Sequence, residues 1–442
     1  MCKAKRLAST RRFFMKKFYL SLMSILLVLA MLFPLSGCAT ADVVSESGSV
    51  SSDTVSGSGD GSEQSKESET KKPAQESAKK EESESDKKTT AKQEETLVPG
   101  KTLAKEALTK KTYDLSQAQT GIRLIGRSHK VHDGISFDHS ASGIEFHGYM
   151  TGDLKLTVNS WRDTTYYTVF VDGKRVDSRL SSLGDAVVLN IASFTGNYYH
   201  TVKILKQSEE VWTLTTLRKL EMTGYLLKAP EARKYHIEVL GDSLTTGYGN
   251  LGNSNIGNAQ GGNTPLMQDA TQSYGFLAAE ALNADCSIVA WSGVGLDVSY
   301  TGTSFGDYYK KQAMHRSNDE LYTYKRAPDV LVIHLGANDS TNSRTTRAGF
   351  VAKGKALIND IRKGYGKDMP IIWAYDPDEG VPEYIKEVLD SFGGESAGLY
   401  ILELEWHSTG AYWGASGHPS KLAHQNHSEL LVDLIKKKNL LK

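Results

Sequence analysis

Cysteine is scarce in this chain. Cys2, Cys38 and Cys286 are the whole complement, too few for a disulfide framework, and the first two fall inside or at the edge of an apolar amino-terminal segment. Cys286 is therefore expected to be a buried, unpaired small hydrophobe. An excess of charge of one sign is also missing: the 442 residues carry 52 basic and 52 acidic side chains. That balance gives no electrostatic case for a nucleic acid partner. The sequence has no dense cluster of His, Asp or Cys, so no metal and no other cofactor is expected. Aromatic residues are absent from positions 41 to 98. That stretch is rich in Ser, Glu, Lys, Gly and Thr, with too little apolar area to offset the entropy of ordering it, and it reads as a flexible tether. Contact with a cell-wall polymer is the functional alternative to plain spacing.

What the chain does have begins with a basic leader. Residues 1 to 17 hold seven basic groups and no acid, and an almost uninterrupted apolar run follows from Phe18 to Leu35. The run ends in Leu35-Ser36-Gly37-Cys38, which resembles the lipobox of a bacterial lipoprotein. The small residues at 36 and 37 suit a cleavage pocket, and Cys38 would become the lipid-bearing first residue of the mature chain. Met15 also serves as a plausible start, since it places Lys16 and Lys17 directly before the run. An uncleaved membrane-spanning helix is the alternative. Either reading puts the folded part on the outer face of a bacterial cell membrane, because the basic leader stays inside.

Two folded units are expected after the tether. From Thr120 to about Met222 the chain consists of short alternating or branched runs, such as Lys155 to Asn159, Tyr166 to Val171 and Tyr198 to Leu205. Helical periodicity is missing there, and Val171-Asp172-Gly173-Lys174 is a hairpin signal, so this part reads as a small all-β sandwich. From Lys234 onward strand-like and helix-like runs alternate, which implies an α/β domain, a parallel sheet with helices on both faces. The expected divisions are a signal peptide and lipobox at 1–38, a tether at 39–110, a β-sandwich at 111–228 and the α/β domain at 229–442.

The chemistry is expected at the carboxyl ends of the parallel strands. Leu240-Gly241-Asp242-Ser243-Leu244 follows a predicted strand, and its Ser would sit at a tight turn with its own N–H facing the same space. A Ser hydroxyl needs a base to attack. His418, in Ser416-Gly417-His418-Pro419-Ser420 just before the last helix, is the candidate, with Pro419 and Ser420 fixing the chain direction. Asn338, in Gly336-Ala337-Asn338-Asp339, can donate an amide N–H to a developing oxyanion, while Asp339 is better placed to hold the loop. Gly293, in Trp291-Ser292-Gly293-Val294-Gly295, can expose a backbone N–H, and Gly295 is an alternative that spacing does not separate from it.

In this order, Ser243, Gly293, Asn338 and His418 resemble the four blocks of the Gly-Asp-Ser-Leu hydrolases, the SGNH superfamily. With the preceding sandwich and its Phe137 to Phe146 stretch, residues 115 to 442 resemble carbohydrate esterase family 2 in particular. The resemblance implies a three-layer parallel-sheet hydrolase preceded by a jelly-roll-like sandwich. It also implies a serine esterase that removes O-acetyl groups from plant polysaccharides such as xylan, mannan and glucomannan, often at the sugar 6-OH. By it Ser243 is the nucleophile and His418 the base, and the oxyanion hole is formed by Ser243, Gly293 and Asn338. One departure stands out. Superfamily members commonly carry an Asp three residues before the His, where this chain has Ala415, so a Ser-His dyad is expected, with backbone carbonyls holding the imidazole.

Plainer readings stand beside these roles. The Gly-Asp-Ser-Leu stretch alone could be a turn, Gly293 could serve close packing and Asn338 could brace a loop. Trp413 and Trp406 are candidates for stacking on a sugar ring, with core packing as the alternative. His424 and His427 read as a helix-surface pair and a packing residue. Residues 252 to 265 form either a mobile rim or a plain surface loop. The runner-up activities are an O-acyl esterase or acyltransferase on cell-wall glycan or lipid, and carbohydrate binding without hydrolysis. The expected partners are an acetylated polysaccharide and, through the lipid anchor, a membrane; a monomer is the default.

Overall fold

The short runs between 110 and 226 form one curled antiparallel sheet of eight strands. They are β1 (Lys110–Asp114), β2 (Ile122–Ile125), β3 (His129–Val131), β4 (Gly134–Phe137), β5 (Gly143–Val171), β6 (Lys174–Arg175), β7 (Leu180–Lys206) and β8 (Thr213–Leu226). This is a computed structural model, and the residues it describes are 96–312, 321–377, 380–405 and 410–442. Cys38, Trp406 and the leader lie outside them. The described residues all belong to one compact unit.

Runs that read as separate strands are joined into two long ones, β5 and β7, because bulges bend a strand without ending it. Ile144 and Val169, both on β5, pair with the same residue of β7, Ile204. The strand therefore folds back over itself. Register shifts between Met150 and Gly152 and between Ser160 and Thr165 make room for the bend. Phe137, Phe146, Leu156, Val158, Tyr167, Ile204 and Leu220 fill the space inside. The expected hairpin is present: Asp172 and Gly173, both at positive φ, join β5 to β6. Residues 98 to 104, which composition assigns to the tether, lie against β7, with Gly100 N–H on the Tyr199 carbonyl at 2.8 Å and the Tyr199 N–H on that of Thr102 at 2.8 Å.

Five parallel strands make the second sheet, in the order β10-β9-β11-β12-β13. They are β9 (Tyr235–Gly241), β10 (Ala284–Ala290), β11 (Val330–His334), β12 (Ile371–Tyr375) and β13 (Leu399–Glu403). Their neighbours are the helices α1 (Ser243–Thr246), α2 (Tyr274–Ala281), α3 (Phe305–Tyr309), α4 (Ala337–Thr341), α5 (Arg347–Tyr365), α6 (Pro382–Asp390) and α7 (Lys421–Lys437). Strands buried on both faces are apolar throughout, and alternate residues serve alternate layers. Val330 and Val332 pack with Tyr274, Ala278, Leu431 and Ile435 from α2 and α7. Leu331 and Ile333 pack with Phe350, Leu357, Ile361, Ile385 and Val388 from α5 and α6. The result is a three-layer α/β domain. Burial of each such Leu or Ile contributes about 2 kcal/mol.

The two sheets share an apolar cluster in which Ile125 and Leu205 of the first, with Ala141 from the turn before β5, join Ala284 and Cys286 of the second. Cys286 is buried and unpaired, and desolvation pushes its thiol well above the usual range. Among the described residues no helix is long and apolar enough to cross a membrane.

Candidate active site

Strand order reverses around β9, which lies between β10 and β11 although β10 follows it in sequence. Ligands of open α/β sheets settle in the crevice at such a point, beyond the carboxyl ends of the strands. The loops that leave these three strands carry Ser243, Gly293 and Asn338. His418 arrives from the approach to α7.

Gly241 ends β9 where no side chain fits. A Cβ there would meet Thr245 Oγ1 at 2.1 Å and the His334 carbonyl at 2.9 Å. Asp242 caps α1, its Oδ1 accepting the Leu244 N–H at 3.1 Å. Ser243 is the first residue of α1, so its N–H has no partner in the helix ladder.

His418 Nε2 stands 2.9 Å from Ser243 Oγ, and Nδ1 stands 2.9 Å from the Ser416 carbonyl. A carbonyl only accepts, so Nδ1 carries the proton and Nε2 is left to accept from the Ser hydroxyl. Burial depresses the His418 imidazole below the ordinary histidine range, while the Ser416 bond and the charge of Asp376 hold it up. Asp376, buried just beyond β12, sits 3.2 Å from His334 Nε2.

The backbone arrangement around His418 is tightly held. Ser416 has φ +54°, which turns its carbonyl toward the ring. Ala415 is fully buried, its N–H on the Gly249 carbonyl at 2.8 Å, and the Ser416 N–H reaches the Ile256 carbonyl at 2.7 Å. The 252–265 loop is therefore joined to the turn that bears the imidazole. Tyr248, which sequence reading did not single out, tilts over the His418 ring with centroids 4.4 Å apart. Burial pushes its phenol up to about 12, so it stays neutral there.

The two glycines of this loop differ in space. Gly295 N–H is already given to Ser299 Oγ at 2.8 Å, whereas Gly293 turns at φ +79°, a conformation that favours glycine. The Gly293 carbonyl accepts the Tyr300 N–H at 2.9 Å. Tyr300 is 59% exposed beside that turn. Sequence does not reveal that exposure.

Asn338 reaches the same region, but both of its amide protons are engaged, on Asp242 Oδ2 at 3.0 Å and on the Val294 carbonyl at 3.0 Å. It ties the Ser243 turn to the Gly293 loop. Asp339 accepts N–H bonds from Leu296 at 2.8 Å and Asp297 at 2.7 Å, holding the loop as expected. Trp413 is half-buried and pairs with Pro419 across the hairpin that carries His418. His424 and His427 are corrected: both are buried on α7, not a surface pair, because Nδ1 of His424 accepts the Tyr274 N–H at 3.3 Å and Nε2 of His427 meets the Glu405 carbonyl at 3.0 Å.

The family described as GDSL-like Lipase/Acylhydrolase matches residues 237–388. The chain is 28% identical over 309 residues to the cellulase/esterase CelE of Acetivibrio thermocellus. It is 27% identical over 255 residues to an acetylxylan esterase / glucomannan deacetylase of Cellvibrio japonicus. These matches take up 68% and 56% of this chain, and 37% and 69% of those proteins. The structure of a family two carbohydrate esterase from Clostridium thermocellum, in complex with cellohexaose, superposes with a TM-score of 0.65 at 28% identity, covering 72% of this chain and 99% of that one. In sequence and in fold the chain is similar to a family two carbohydrate esterase. In this chain Ser243 and His418 come together from opposite ends of the α/β domain.

Proposed function

We propose that this chain is a serine esterase that removes O-acetyl groups from plant polysaccharides such as xylan or glucomannan, including 6-O-acetyl groups. The observation that carries the reading is the 2.9 Å approach of His418 Nε2 to Ser243 Oγ, with the tautomer set by Ser416. In the reaction Ser243 Oγ bonds to the acetyl carbonyl carbon as His418 takes its proton. Negative charge develops on the carbonyl oxygen toward the N–H groups of Ser243 and Gly293. Asn338 supplies a third donor by releasing one of its two present bonds as that charge forms. His418 then returns the proton to the departing sugar oxygen, and the C–O bond to the sugar breaks. Water repeats the cycle on the acetyl-enzyme and releases acetate.

Two features support a sugar substrate. The relatives named above carry esterase and deacetylase activities in their descriptions, and two aromatic residues adjoin the groups named, Trp413 through its bridge to Pro419, next to His418, and exposed Tyr300 through its N–H on the Gly293 carbonyl. Trp406 belongs to the same proposal by sequence position. The Leu35-Ser36-Gly37-Cys38 stretch supports export and a lipid anchor at Cys38, which would hold the enzyme outside the cell membrane, as a monomer. A chain reduced to carbohydrate binding has no use for an imidazole poised on a serine hydroxyl.

Incubation with acetylated xylan and acetylated glucomannan, followed by proton NMR of released acetate, tests the reading. Acetate release that Ser243→Ala abolishes is expected. Release from peptidoglycan or phospholipid alone would replace the substrate class, and no release from any acetyl ester would end the proposal.

A further inference from the structure

A carboxylate from a link between two strands of the antiparallel sheet bonds to the residue before Gly293. Glu209 lies in the 207–212 link between β7 and β8, and it is wholly buried. Its Oε2 accepts the backbone N–H of Ser292 at 2.6 Å, and its Oε1 accepts the Ser292 hydroxyl. Gln268, equally buried, donates Nε2–H to Glu209 Oε1 at 3.0 Å and accepts the Glu209 N–H at 3.1 Å. The other Nε2 proton of Gln268 goes to Thr246 Oγ1 at 2.8 Å, and Thr246 Oγ1 donates to the Ser243 carbonyl at 3.0 Å. One side chain is thus bonded directly to the residue before Gly293 and, through Gln268 and Thr246, to the peptide of Ser243.

We infer that Glu209 is a positioning residue for the oxyanion hole, a carboxylate on the β7–β8 link that fixes the Ser243 and Gly293 N–H groups relative to each other. The inference rests on the esterase reading of this site. Burying an ionised carboxylate is costly unless donors surround it. Burial pushes the Glu209 carboxyl above its usual range, and the bonds from Ser292 and Gln268 oppose that. Such an arrangement suits a group that sets geometry. Every side chain or N–H that Glu209 meets here can donate, so an amide in its place leaves an N–H facing an N–H. With Gln at 209, its NH2 opposes either the Ser292 N–H or Gln268 Nε2. The Gly293 turn then moves, and a displacement of about 1 Å in a reacting constellation costs about 100-fold in rate. The antiparallel sheet is, on this view, part of the catalytic apparatus even where it touches no substrate.

The test uses the full chain with 4-nitrophenyl acetate and with a trifluoromethyl ketone, which forms a tetrahedral adduct with an active serine. Glu209→Gln should lower kcat by about 30-fold and leave KM within about twofold. Affinity for the ketone should fall by the same factor as kcat/KM. Glu209→Asp keeps the charge but draws it back by one methylene, and should lower kcat by about fivefold. Tyr167→Phe, which removes a hydroxyl bonded to Ser160 and Thr215 inside the sheet core, is the control: it lowers the thermal midpoint and leaves kcat and ketone affinity alone. Should the glutamine variant not fold, the aspartate variant carries the test. Wild-type kcat and ketone affinity in either folded variant, or a loss confined to KM, would overturn the inference. Absence of Ser243-dependent cleavage in the parent would instead remove the esterase reading.

Discussion

The Ser416 carbonyl oxygen stands 2.9 Å from Nδ1 of His418, where a Ser-His-Asp triad has its carboxylate. A neutral carbonyl fixes the tautomer and the ring plane as a carboxylate does, but contributes less to stabilising the imidazolium. Part of that charge is supplied from farther off by Asp376, which bears on the same ring.

Restoring the missing carboxylate should not help. Ala415 is fully buried and the Cβ that Gly252 lacks would lie 2.5 Å from its own. An Asp at 415 has no room and no partner. Ala415→Asp is expected to cost about 3 kcal/mol of stability and to lower kcat/KM on an acetyl ester, as read by thermal melts and initial rates. A rise in activity would mean that imidazole orientation is limiting.

The pH profile follows from the sign of the His418 shift. In the proposed mechanism the neutral imidazole is the active form, and burial lowers its pKa. Activity is therefore full at neutral pH and is lost only as pH falls through a midpoint below about 6.5. Asp376→Asn removes a charge that holds the value up and should move the midpoint lower still. A pH–rate profile of kcat/KM for the two proteins checks both statements; a limb above that value would contradict them.

Asn338→Ala removes a donor and also unties Asp242 from Val294. Turnover should fall by about 100-fold or more. Since the amide is engaged on both sides in the free protein, some loss of thermal stability should accompany it, of about 1 kcal/mol. Full turnover in this variant would show that Asn338 only braces the loop.

The two glycines can be told apart by alanine. At Gly293 an added Cβ meets Thr301 and Tyr300 at ordinary contact distances, 3.5 and 3.6 Å, so the penalty is the strain of φ +79°, about 1 to 2 kcal/mol. Gly293→Ala should fold and lose about 10-fold in kcat. At Gly295 the Cβ would lie 2.3 Å from the Val298 carbonyl, so Gly295→Ala should instead reduce the yield of folded protein. Circular dichroism beside initial rates separates the outcomes.

Much of this site can be read in the sequence because a parallel strand is a short apolar run, and the residues just past its end have one place to go. That logic singles out Ser243 and Asn338, and the cap at Ser420 points to His418. Gly293 and Gly295 remained equivalent because the distinction is made by Ser299, whose hydroxyl position depends on the folded loop. The roles of β5 and β7 as continuous bent strands were hidden because bulges look like strand ends. Glu209 gave no signal at all: in sequence it is one acid beside another, Glu210, in a link between strands, and its meaning comes from where the two sheets meet.

The central claim is that Ser243 Oγ becomes acetylated during turnover. Rapid acid quench of the enzyme with 4-nitrophenyl acetate, followed by peptide mass mapping, should find one acetyl group on the peptide that contains Ser243, and none in Ser243→Ala. Acetate release that continues in Ser243→Ala, or an acetyl group carried on another residue during turnover, would contradict it.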